Sequence, residues 1–272
     1  MSYTRQPFYL DGVQGKLFCI YYSPSKVARS TVVVFPPFAE EMNKSRRMIS
    51  QQANLLAEQN VSVLLFDYFA TGDSEGDFAD ATWDTWVRDI DVIFDYLLDK
   101  EIENINILAL RMGALLTTAI REKYHQNINK VIYWQPFMNG ELLMTQFYRL
   151  KLAADMLGQE SGLTLKHIKS QLQEGQHVEI SGYSLNPELA NGISKVRLQD
   201  TSPAMLKNAN WIELVNAEEK PVPPGSQRVI DLLNEQGANI KADTIVGPQF
   251  WSAVELVDVP YLHEVTERLI LQ

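Results

Sequence analysis

Short apolar runs alternate along this chain with longer amphipathic stretches, and this alternation is the strongest constraint on the fold. Residues 31–35 (TVVVF), 61–66 (VSVLLF) and 105–110 (INILAL) are almost wholly apolar, as strands buried on both faces of a sheet must be. Residues 43–59 and 82–98 carry apolar side chains at helical spacing. The pattern therefore predicts an α/β chain with a mostly parallel central sheet.

Two departures from the alternation add detail to this architecture. Residues 7–10 and 16–22 flank an Asp11-Gly12 turn signal, which predicts an antiparallel amino-terminal hairpin. Between residues 139 and 208 the rhythm breaks, and we predict a helical lid at 139–208 inserted into a core made of 1–138 and 209–272. Within the lid, 142–157 and 163–172 are predicted as helices, and 178–185 is expected to be irregular. The remaining core elements are predicted as strands at 130–134, 211–215 and 240–245 and helices at 225–236 and 259–271.

This arrangement predicts the α/β-hydrolase fold, with a Rossmann-like fold as the competitor. A Rossmann fold needs a GxGxxG turn after its first parallel strand, whereas this chain has FPPFAEE at residues 35–41. The hydrolase fold instead holds its nucleophile on a sharp strand-to-helix turn, the elbow, with the pattern G-x-S-x-G. The position of that turn in the sequence is therefore the next question.

A literal G-x-S-x-G match occurs at residues 72–76 (GDSEG), with Ser74 at the nucleophile position. The match follows an apolar run, but polar residues 77–80 come next and the following helix is predicted only from residue 82. An elbow requires the helix to begin at the nucleophile itself. We therefore interpret GDSEG as a surface loop whose glycines make turns.

Residues 105–116 (INILALRMGALL) have the required context, since a strand passes directly into a helix. The elbow then aligns with residues 109–113, and Arg111 takes the nucleophile position. A guanidinium stays protonated throughout the physiological pH range and cannot attack a carbonyl. Two interpretations of Arg111 stay open, an anchor for a ligand and a surface arginine paired with a nearby carboxylate.

The other two positions of a Ser–His–acid triad lack a strong candidate. Glu219, followed by Glu218, is the best acid in the loop after strand 211–215, and Gln249 stands where the histidine is expected. His263 falls at helical spacing in the terminal helix, where a structural role is the default. Hydrolysis by Ser–His–acid chemistry is therefore not expected.

The loop after TVVVF is predicted to meet the elbow at one sheet edge. Pro36 and Pro37 have no N–H, so an oxyanion hole would use the amides of Phe38 and Met112. Arg111 there either pairs with a carboxylate, Glu40 in preference to Glu41, or leaves an empty anion site. The residues expected to form the binding site are Phe38, Glu40, Glu41, Arg111, Met112 and Trp251.

Composition excludes several classes of function. The 34 acidic residues exceed the 24 basic ones and give a net charge of −10, which opposes binding to nucleic acid or to an anionic membrane surface. Cys19 is the single cysteine and the four histidines form no metal-binding pattern, so no disulfide framework, metal or cofactor is predicted. The amino-terminal sequence is unlike a signal peptide and no apolar run is long enough to span a bilayer, so a cytoplasmic location is expected.

Several long segments resemble one family over nearly the whole chain. They are FPPFAEEMNKSRRM at 35–48, FDYFATGDSEGDFADATWDTW at 66–86, ALRMGALL at 109–116, WQPFMNGELLMTQFYRLKLAADML at 134–157, ISGYSLNPELA at 180–190 and GPQFW at 247–251. The family is the α/β-hydrolase-like hydrolase 2 associated with the exosortase A system. The resemblance implies an α/β-hydrolase fold, a host that makes exopolysaccharide, and arginine at the elbow as a family pattern. More generally, residues 67–76 are similar to the DxxGxGxSxG loop of serine-peptidase-like α/β hydrolases, with Ala70 in place of the first glycine.

Two functions follow from these expectations, and they leave open whether the protein is an enzyme. The first is a pseudoenzyme whose lidded cleft binds a small molecule or a partner, with an anionic ligand anchored on Arg111. The alternative is an active hydrolase of the esterase or acyl-hydrolase type. In that case Glu40 or Glu41, in an apolar cleft that raises its pKa, would activate a water molecule.

Overall fold

The computed structural model describes residues 2–157 and 163–272. An eight-stranded sheet forms the centre of the molecule, and a separate two-stranded sheet lies outside it. The strands are β1 (Tyr3–Asp11), β2 (Lys16–Pro24), β3 (Thr31–Phe35), β4 (Ser62–Phe66), β5 (Ile105–Leu110), β6 (Ile128–Trp134), β7 (Val178–Ile180), β8 (Tyr183–Leu185), β9 (Ala209–Val215) and β10 (Ile240–Val246).

The central sheet has the order β1-β2-β4-β3-β5-β6-β9-β10. The hairpin of β1 and β2 is antiparallel and pairs antiparallel with β4, whereas every pairing from β4 to β10 is parallel. All residues of β3 and β5 are buried, as their unbroken apolar sequences require. The mostly parallel sheet with an antiparallel amino-terminal hairpin, predicted from the sequence as the α/β-hydrolase fold, is confirmed.

Helices cover both faces of this sheet. They are α1 (Glu40–Glu58), α2 (Trp83–Asp99), α3 (Gly113–Leu116), α4 (Gly140–Leu157), α5 (Leu165–Gln173), α6 (Pro187–Lys195), α7 (Pro224–Glu235) and α8 (Pro260–Leu271). Apolar residues of α1 and α8 form one core cluster with β3 side chains such as Val32, and those of α2 and α7 belong to a second cluster with Val33. No helix in the described residues is long and apolar enough to cross a membrane.

The segment between β6 and β9 contains α4, α5 and α6, together with the hairpin of β7 and β8. This hairpin corrects the expectation of irregular structure at 178–185. Ser181 and Gly182 both take the left-handed conformation, with φ of 51° and 83°, which is the geometry that a tight hairpin turn needs. Residues 158–162, part of the predicted lid, lie outside the described residues.

The helix that follows the elbow is short. The helix α3 spans Gly113–Leu116, and 3₁₀ turns follow it up to Asn127. Thr117 and Thr118 donate their hydroxyls to the carbonyls of Ala114 and Leu115, both at 2.7 Å. Side-chain bonds of this kind compete with the α-helical ladder, which accounts for the early end of α3.

Candidate functional site

The turn at Arg111 has the geometry of a nucleophile elbow. It joins β5 to α3, and Arg111 takes the left-handed backbone conformation, with φ of 55°. A β-carbon at position 113 would meet the carbonyl oxygen of Phe35 at 2.2 Å, so Gly113 is required for the close approach of α3 to β3. The left-handed conformation is strained for a residue other than glycine, and it persists where the surrounding structure holds the residue in place. The structure thus places Arg111 at the strand-to-helix turn that the sequence predicts.

Arg111 is buried and its guanidinium is bound by two acceptor groups. Nε–H donates to the carboxylate oxygens of Glu41, at 3.3 and 3.2 Å, and Nη2–H donates to Oε1 of the same group at 2.8 Å. Nη1–H donates to the backbone carbonyl of Gln135 at 3.4 Å. The two charged side chains are only 8% and 9% exposed, so the pair lies away from solvent. Burial raises the pKa of Glu41, and the Arg111 guanidinium opposes this rise.

Two aromatic rings enclose the guanidinium. The Cζ atom of Arg111 lies 4.0 Å from the ring centroid of Phe137 and 4.8 Å from that of Trp251. Both distances are within the range of cation–π contacts, which strengthen as water is excluded. Phe137 follows β6 and Trp251 follows β10, so loops from separate strands converge on the residue at the elbow. Arg111 is therefore a packing centre of this sheet edge.

The carboxylate that pairs with Arg111 is Glu41, whereas the sequence analysis favoured Glu40. The helix α1 begins at Glu40 rather than at residue 43 as predicted, and of the two glutamates in its first turn Glu41 is the buried one. Glu40 is less buried and, like Glu41, lines a cleft, and its Oε2 atom is buried without a hydrogen-bond partner in the described part of the chain. Burial is the main cause that raises the pKa of Glu40 above its ordinary value. Adjacent carboxylates thus have different environments.

Gln249, which stands where the histidine of a triad is expected, does not face the elbow. Gln249 is exposed, and its backbone carbonyl accepts hydrogen bonds from the amides of Ser252 and Ala253 at 3.0 and 3.1 Å. Within this turn, Trp251 is buried against Arg111. The side chain beside the elbow is therefore Trp251, whose indole N–H can only donate a hydrogen bond and cannot act as a general base.

The predicted acid position lies at the surface. Glu218 and Glu219 are both exposed in the loop after β9, and neither is among the hydrogen-bond partners of Arg111 within residues 2–157 and 163–272. His263 is buried in α8, where its Nδ1 atom lies 2.9 Å from Oε1 of Gln52. Burial lowers the pKa of His263 to about 4, so the ring is neutral at pH 7. The described residues assemble no Ser–His–acid triad at the elbow.

Ser74, in the literal G-x-S-x-G match, has a structural role. Its Oγ–H donates to the backbone carbonyl of Asp67 at 2.7 Å, and Oγ accepts a hydrogen bond from the amide of Phe18 at 2.8 Å. The Asp67 carboxylate in turn accepts from Nη2 of Arg46 and from the amide of Asp73, both at 3.0 Å. The hydroxyl therefore joins the loop to β2, a role for Ser74 that the sequence did not indicate.

A cleft of about 370 Å³ lies beside the Arg111–Glu41 pair, within the size range of small-molecule sites. Among the described residues, neither Arg111 nor Met112 lines it. Glu41, Phe137 and Trp251 do line it, and since they also contact Arg111 they cover the guanidinium. The lining residues are Phe38, Glu40, Glu41, Lys44, Phe137, Trp251 and Ser252 from the core and Leu143, Gln146, Phe147, Leu150 and Ser181 from the segment between β6 and β9.

The six residues expected at the site therefore divide into two groups. Phe38, Glu40, Glu41 and Trp251 reach the cleft, whereas Arg111 and Met112 lie behind it. The amides of Phe38 and Met112, expected to form an oxyanion hole, donate to no acceptor in the described part of the chain, and the cleft does not extend to Met112. No group of metal-ligating side chains occurs within the described ranges.

Sequence reasoning missed several residues of this site. Phe137 and Gln135 follow β6, which pairs with β5 in parallel, so their position at the same sheet edge was the available signal. Gln135 takes the left-handed conformation and its Oε1 accepts from the amide of Leu214, which binds the loop to β9. Three apolar residues of α4 also line the cleft, namely Leu143, Phe147 and Leu150. Their helical spacing, which places them on one face of α4, was the signal that could have identified them.

The family model for serine aminopeptidase, S33, matches residues 26–197. The chain belongs to this family of α/β hydrolases. The match agrees with the general similarity of residues 67–76 to serine-peptidase-like hydrolases, although this member has arginine where the family's nucleophile is expected. No protein in a search of curated sequences matches significantly.

Solved structures of hydrolases share the fold at low sequence identity. Est1E from Butyrivibrio proteoclasticus, with ferulic acid bound, has a TM-score of 0.71 at 18% identity over 97% of this chain and 98% of its own. An esterase from Pyrococcus furiosus has a TM-score of 0.64 at 15% identity, covering 99% of this chain and 91% of its own. Proline iminopeptidase from Mycobacterium smegmatis has a TM-score of 0.63 at 12% identity over 98% of both chains. At such identities the likeness shows the fold alone.

Proposed function

We propose that this protein is a ligand-binding member of the S33 family that does not perform Ser–His–acid hydrolysis. The observation that carries the proposal is the state of the elbow, where Arg111 stands on the nucleophile turn and is bound by Glu41. Arg111, held in this buried ion pair and enclosed by Phe137 and Trp251, can act neither as the nucleophile nor as the base of that chemistry. The backbone of a hydrolase site is kept while its reactive groups are replaced.

The cleft supports a binding role. It is lined by apolar side chains and by a few polar groups, which is the usual composition of a small-molecule site. An anionic ligand anchored on Arg111 fits this geometry poorly, because Glu41 already neutralises the guanidinium. The proposed ligand is therefore a small molecule held between the core and α4, with residues 139–208 acting as a lid.

The biological setting of the proposal rests on resemblance. The segments that resemble the exosortase A system-associated hydrolase 2 family include FPPFAEE, which contains Glu41, and ALRMGALL, which contains Arg111. Since both halves of the buried ion pair lie in these segments, we place the protein with the exopolysaccharide and exosortase system. A cytoplasmic location, with neither nucleic acid nor a membrane as a partner, belongs to the same proposal.

A second candidate function is hydrolysis by a water molecule that Glu40 activates. The observation that favours it is the position of Glu40 in the cleft, where burial raises the pKa of its carboxyl group. A carboxylate with a raised pKa is a better general base near neutral pH. This mechanism needs no serine, so it is distinguished from the family's chemistry by its insensitivity to serine-directed reagents.

The first experiment combines a fluorophosphonate probe with an assay of p-nitrophenyl acetate hydrolysis. We expect no labelled serine and no hydrolysis above that of the buffer. A labelled serine would contradict the proposed function. Hydrolysis without labelling, lost in Glu40→Gln, would instead support the activated-water mechanism.

A second experiment tests binding by mass spectrometry of the purified protein under native conditions. We expect a small molecule to accompany the wild-type protein and to be lost in Leu150→Trp, because the indole would fill the cleft. The matched control is Leu142→Trp, an exposed position on the same helix, which should retain the added mass. A wild-type mass equal to that of the chain alone would count against a tightly held ligand.

A further inference from the structure

A second pocket lies within the segment between β6 and β9, on the side of α4 that faces away from the cleft. It has a volume of about 170 Å³ and is lined by α4, α5 and α6. Leu143, Phe147 and Leu150 of α4 line the cleft, whereas Thr145 and Tyr148 of the same helix line the pocket. At 3.6 residues per turn these two sets fall on opposite sides of the helix. Among the described residues none lines both the cleft and the pocket, so the two sites are separate.

Each of the three helices contributes to the pocket a side chain that both donates and accepts hydrogen bonds. These side chains are Thr145 of α4, Gln173 of α5 and Asn191 of α6. Gln173 and Asn191 are exposed and Thr145 is half-buried, so a molecule in the pocket can reach all three. A hydroxyl or a carboxamide combines a donor and an acceptor in one group. The pocket therefore matches a ligand that carries several groups of the same kind, which is the property of a polyhydroxylated molecule.

The two charged side chains that line the pocket, Glu141 and Lys169, offset each other. Nζ of Lys169 lies 3.6 Å from Oε1 of Glu141, and Oε2 of Glu141 lies 4.0 Å from Nη2 of Arg197. In the part of the chain that the structure describes, the lining thus has no net charge that would attract an ion of either sign. Hydrogen bonding is therefore the source of polar recognition in this pocket.

The buried side chains of the pocket are largely apolar. Met144, Tyr148 and Leu172 line it, and each is no more than 3% exposed. The C–H groups on one face of a saturated ring can pack on such a surface, while hydroxyls at the edge of the ring reach the polar side chains. A cavity of about 150 Å³ holds one six-membered ring, so a pocket of about 170 Å³ is large enough for one ring.

We propose that this pocket binds one uncharged sugar ring, as a second ligand site distinct from the cleft. Hydroxyl groups of the ring exchange hydrogen bonds with the side chains of Thr145, Gln173 and Asn191, and its C–H groups pack on Met144 and Leu172. A free monosaccharide and the end residue of a longer glycan present the same chemistry, and the test below separates them. This inference goes beyond the proposed function, which concerns the cleft alone.

The test is a titration of the isotope-labelled protein with sugars, followed by proton–nitrogen correlation spectra. The probes are D-glucose, D-galactose and D-mannose, each also as its methyl glycoside, at millimolar concentrations. We expect at least one of the three sugars to shift the side-chain NH₂ signals of Gln173 and Asn191 until the shifts saturate. Cyclohexanol, which keeps a six-membered ring with a single hydroxyl, should bind at least about tenfold more weakly, because it leaves most of the hydrogen bonds unmade.

The methyl glycosides distinguish the two sources of the sugar ring. Binding of a methyl glycoside as well as its free sugar would assign the end residue of a glycan, because the bond to the next residue is then tolerated. Binding of the free sugar alone would assign a monosaccharide. No saturable shift with any of the three sugars, or an equal affinity for cyclohexanol, would overturn the inference.

Asn191→Leu and Gln173→Met remove the two carboxamides at similar side-chain size, and each variant identifies its own NH₂ signal by the loss of that signal. Each should weaken binding of the sugar about tenfold. Gln171→Met, at an exposed position of α5 outside the lining of the pocket, is the matched control and should leave the affinity unchanged. A sugar affinity that survives both Asn191→Leu and Gln173→Met would contradict the assigned contacts.

Leu150→Trp, which fills the cleft, separates this inference from the proposed function. It should leave the sugar titration unchanged, because Leu150 lines the cleft and α4 lies between the two sites. If Leu150→Trp abolished sugar binding, the sugar would belong to the cleft and the second site would be overturned. The fluorophosphonate result concerns reactive serines alone, so a labelled serine would contradict the proposed function and leave the sugar titration as evidence for the pocket.

Discussion

Two turns of this protein resemble the nucleophile elbow of a hydrolase in opposite ways. Residues 72–76 have the letters of the motif, GDSEG, but the serine hydroxyl is bound to the backbone at Asp67 and Phe18. Residues 109–113 have the left-handed residue, the close glycine and the strand-to-helix passage, but an arginine stands at the reactive position. The first turn keeps the residue type and the second keeps the geometry.

The difference shows which property of a catalytic motif the fold itself requires. Gly113 is fixed by the Phe35 carbonyl, which leaves no room for a β-carbon, so the sheet and α3 constrain the turn whatever its side chain does. Once the nucleophile is absent, the position at the turn can be used for packing. Arg111 and Glu41 use it in this way, because α1 supplies Glu41 and residues of the loops after β6 and β10 contact the guanidinium.

The largest predicted effect is the loss of the Arg111–Glu41 pair. Arg111→Ala should lower the free energy of unfolding by about 3–5 kcal/mol, because it leaves the Glu41 carboxylate buried without its partner. Urea denaturation followed by tryptophan fluorescence measures this change. The double variant Arg111→Met with Glu41→Leu should recover most of the loss, since apolar side chains can replace a buried ion pair.

The matched control for this prediction is Arg47→Ala. Arg47 also binds a carboxylate through two nitrogens, Nε and Nη2, at 2.8 and 2.7 Å from Asp258, but the two side chains are 48% and 36% exposed. The exposed pair should contribute no more than about 1 kcal/mol. Equal effects of the two arginine variants would show that the elbow pair is not the packing centre inferred here.

The second prediction concerns pH and separates the two regions by their titrating groups. On the side of the elbow, His263 packs beside Trp134 and has a pKa lowered by burial to about 4. On the side of the GDSEG loop, Asp89 accepts from the amide of Val13 in the β1–β2 turn, and burial raises its pKa to about 6. Between pH 6.5 and 4, His263 is protonated in the unfolded state and neutral in the folded state. The free energy of unfolding therefore decreases through this group as the pH falls. Asp89 acts oppositely, since its burial costs free energy above pH 6 and this cost decreases toward pH 4.

Single variants should reveal the two opposite effects of pH on the free energy of unfolding. In His263→Gln the decrease in unfolding free energy from pH 7 to pH 5 should be smaller than in the wild type by about 2 kcal/mol. In Asp89→Asn it should be larger by about 1 kcal/mol. The wild-type profile is the reference for both variants. Profiles of the two variants that run parallel to it would show that neither buried group titrates as described.

Most of the fold could be predicted from the sequence because apolar runs determine which strands are buried. The bounds of β3 and β5 agree with the prediction at Thr31–Phe35 and Ile105–Leu110. The hairpin at 178–185 escaped the prediction because its strands have three residues each and depend on the Ser181-Gly182 turn. Strands this short carry too little periodicity to be recognised.

The elbow residue could be predicted for a different reason, since the direct passage from strand to helix leaves no room for a loop. The side chains that contact Arg111 could not be predicted. Whether Glu40 or Glu41 faces Arg111 depends on the residue at which α1 begins, and helix starts are poorly specified by sequence patterns. Gln249 and Trp251 lie in one turn, and which of them points inward is set by bonds from backbone amides to the Gln249 carbonyl. In both cases the loops could be predicted, and the direction in which neighbouring side chains point could not.

The smallest predicted effect tests whether Ser74 is purely structural. Ser74→Ala removes a hydroxyl that donates to the Asp67 carbonyl and accepts from the Phe18 amide, and it should lower the free energy of unfolding by about 1–2 kcal/mol. Ser170→Ala, which removes an exposed hydroxyl bonded to Glu174, is the control and should change stability by less than about 0.5 kcal/mol. The effect at Ser74 should stay well below that of Arg111→Ala, because a neutral hydrogen bond is lost and no buried charge is left unpaired. If any hydrolysis of p-nitrophenyl acetate were found and Ser74→Ala abolished it without the expected loss of stability, the literal motif would be the reactive turn and the comparison of the two regions would be reversed.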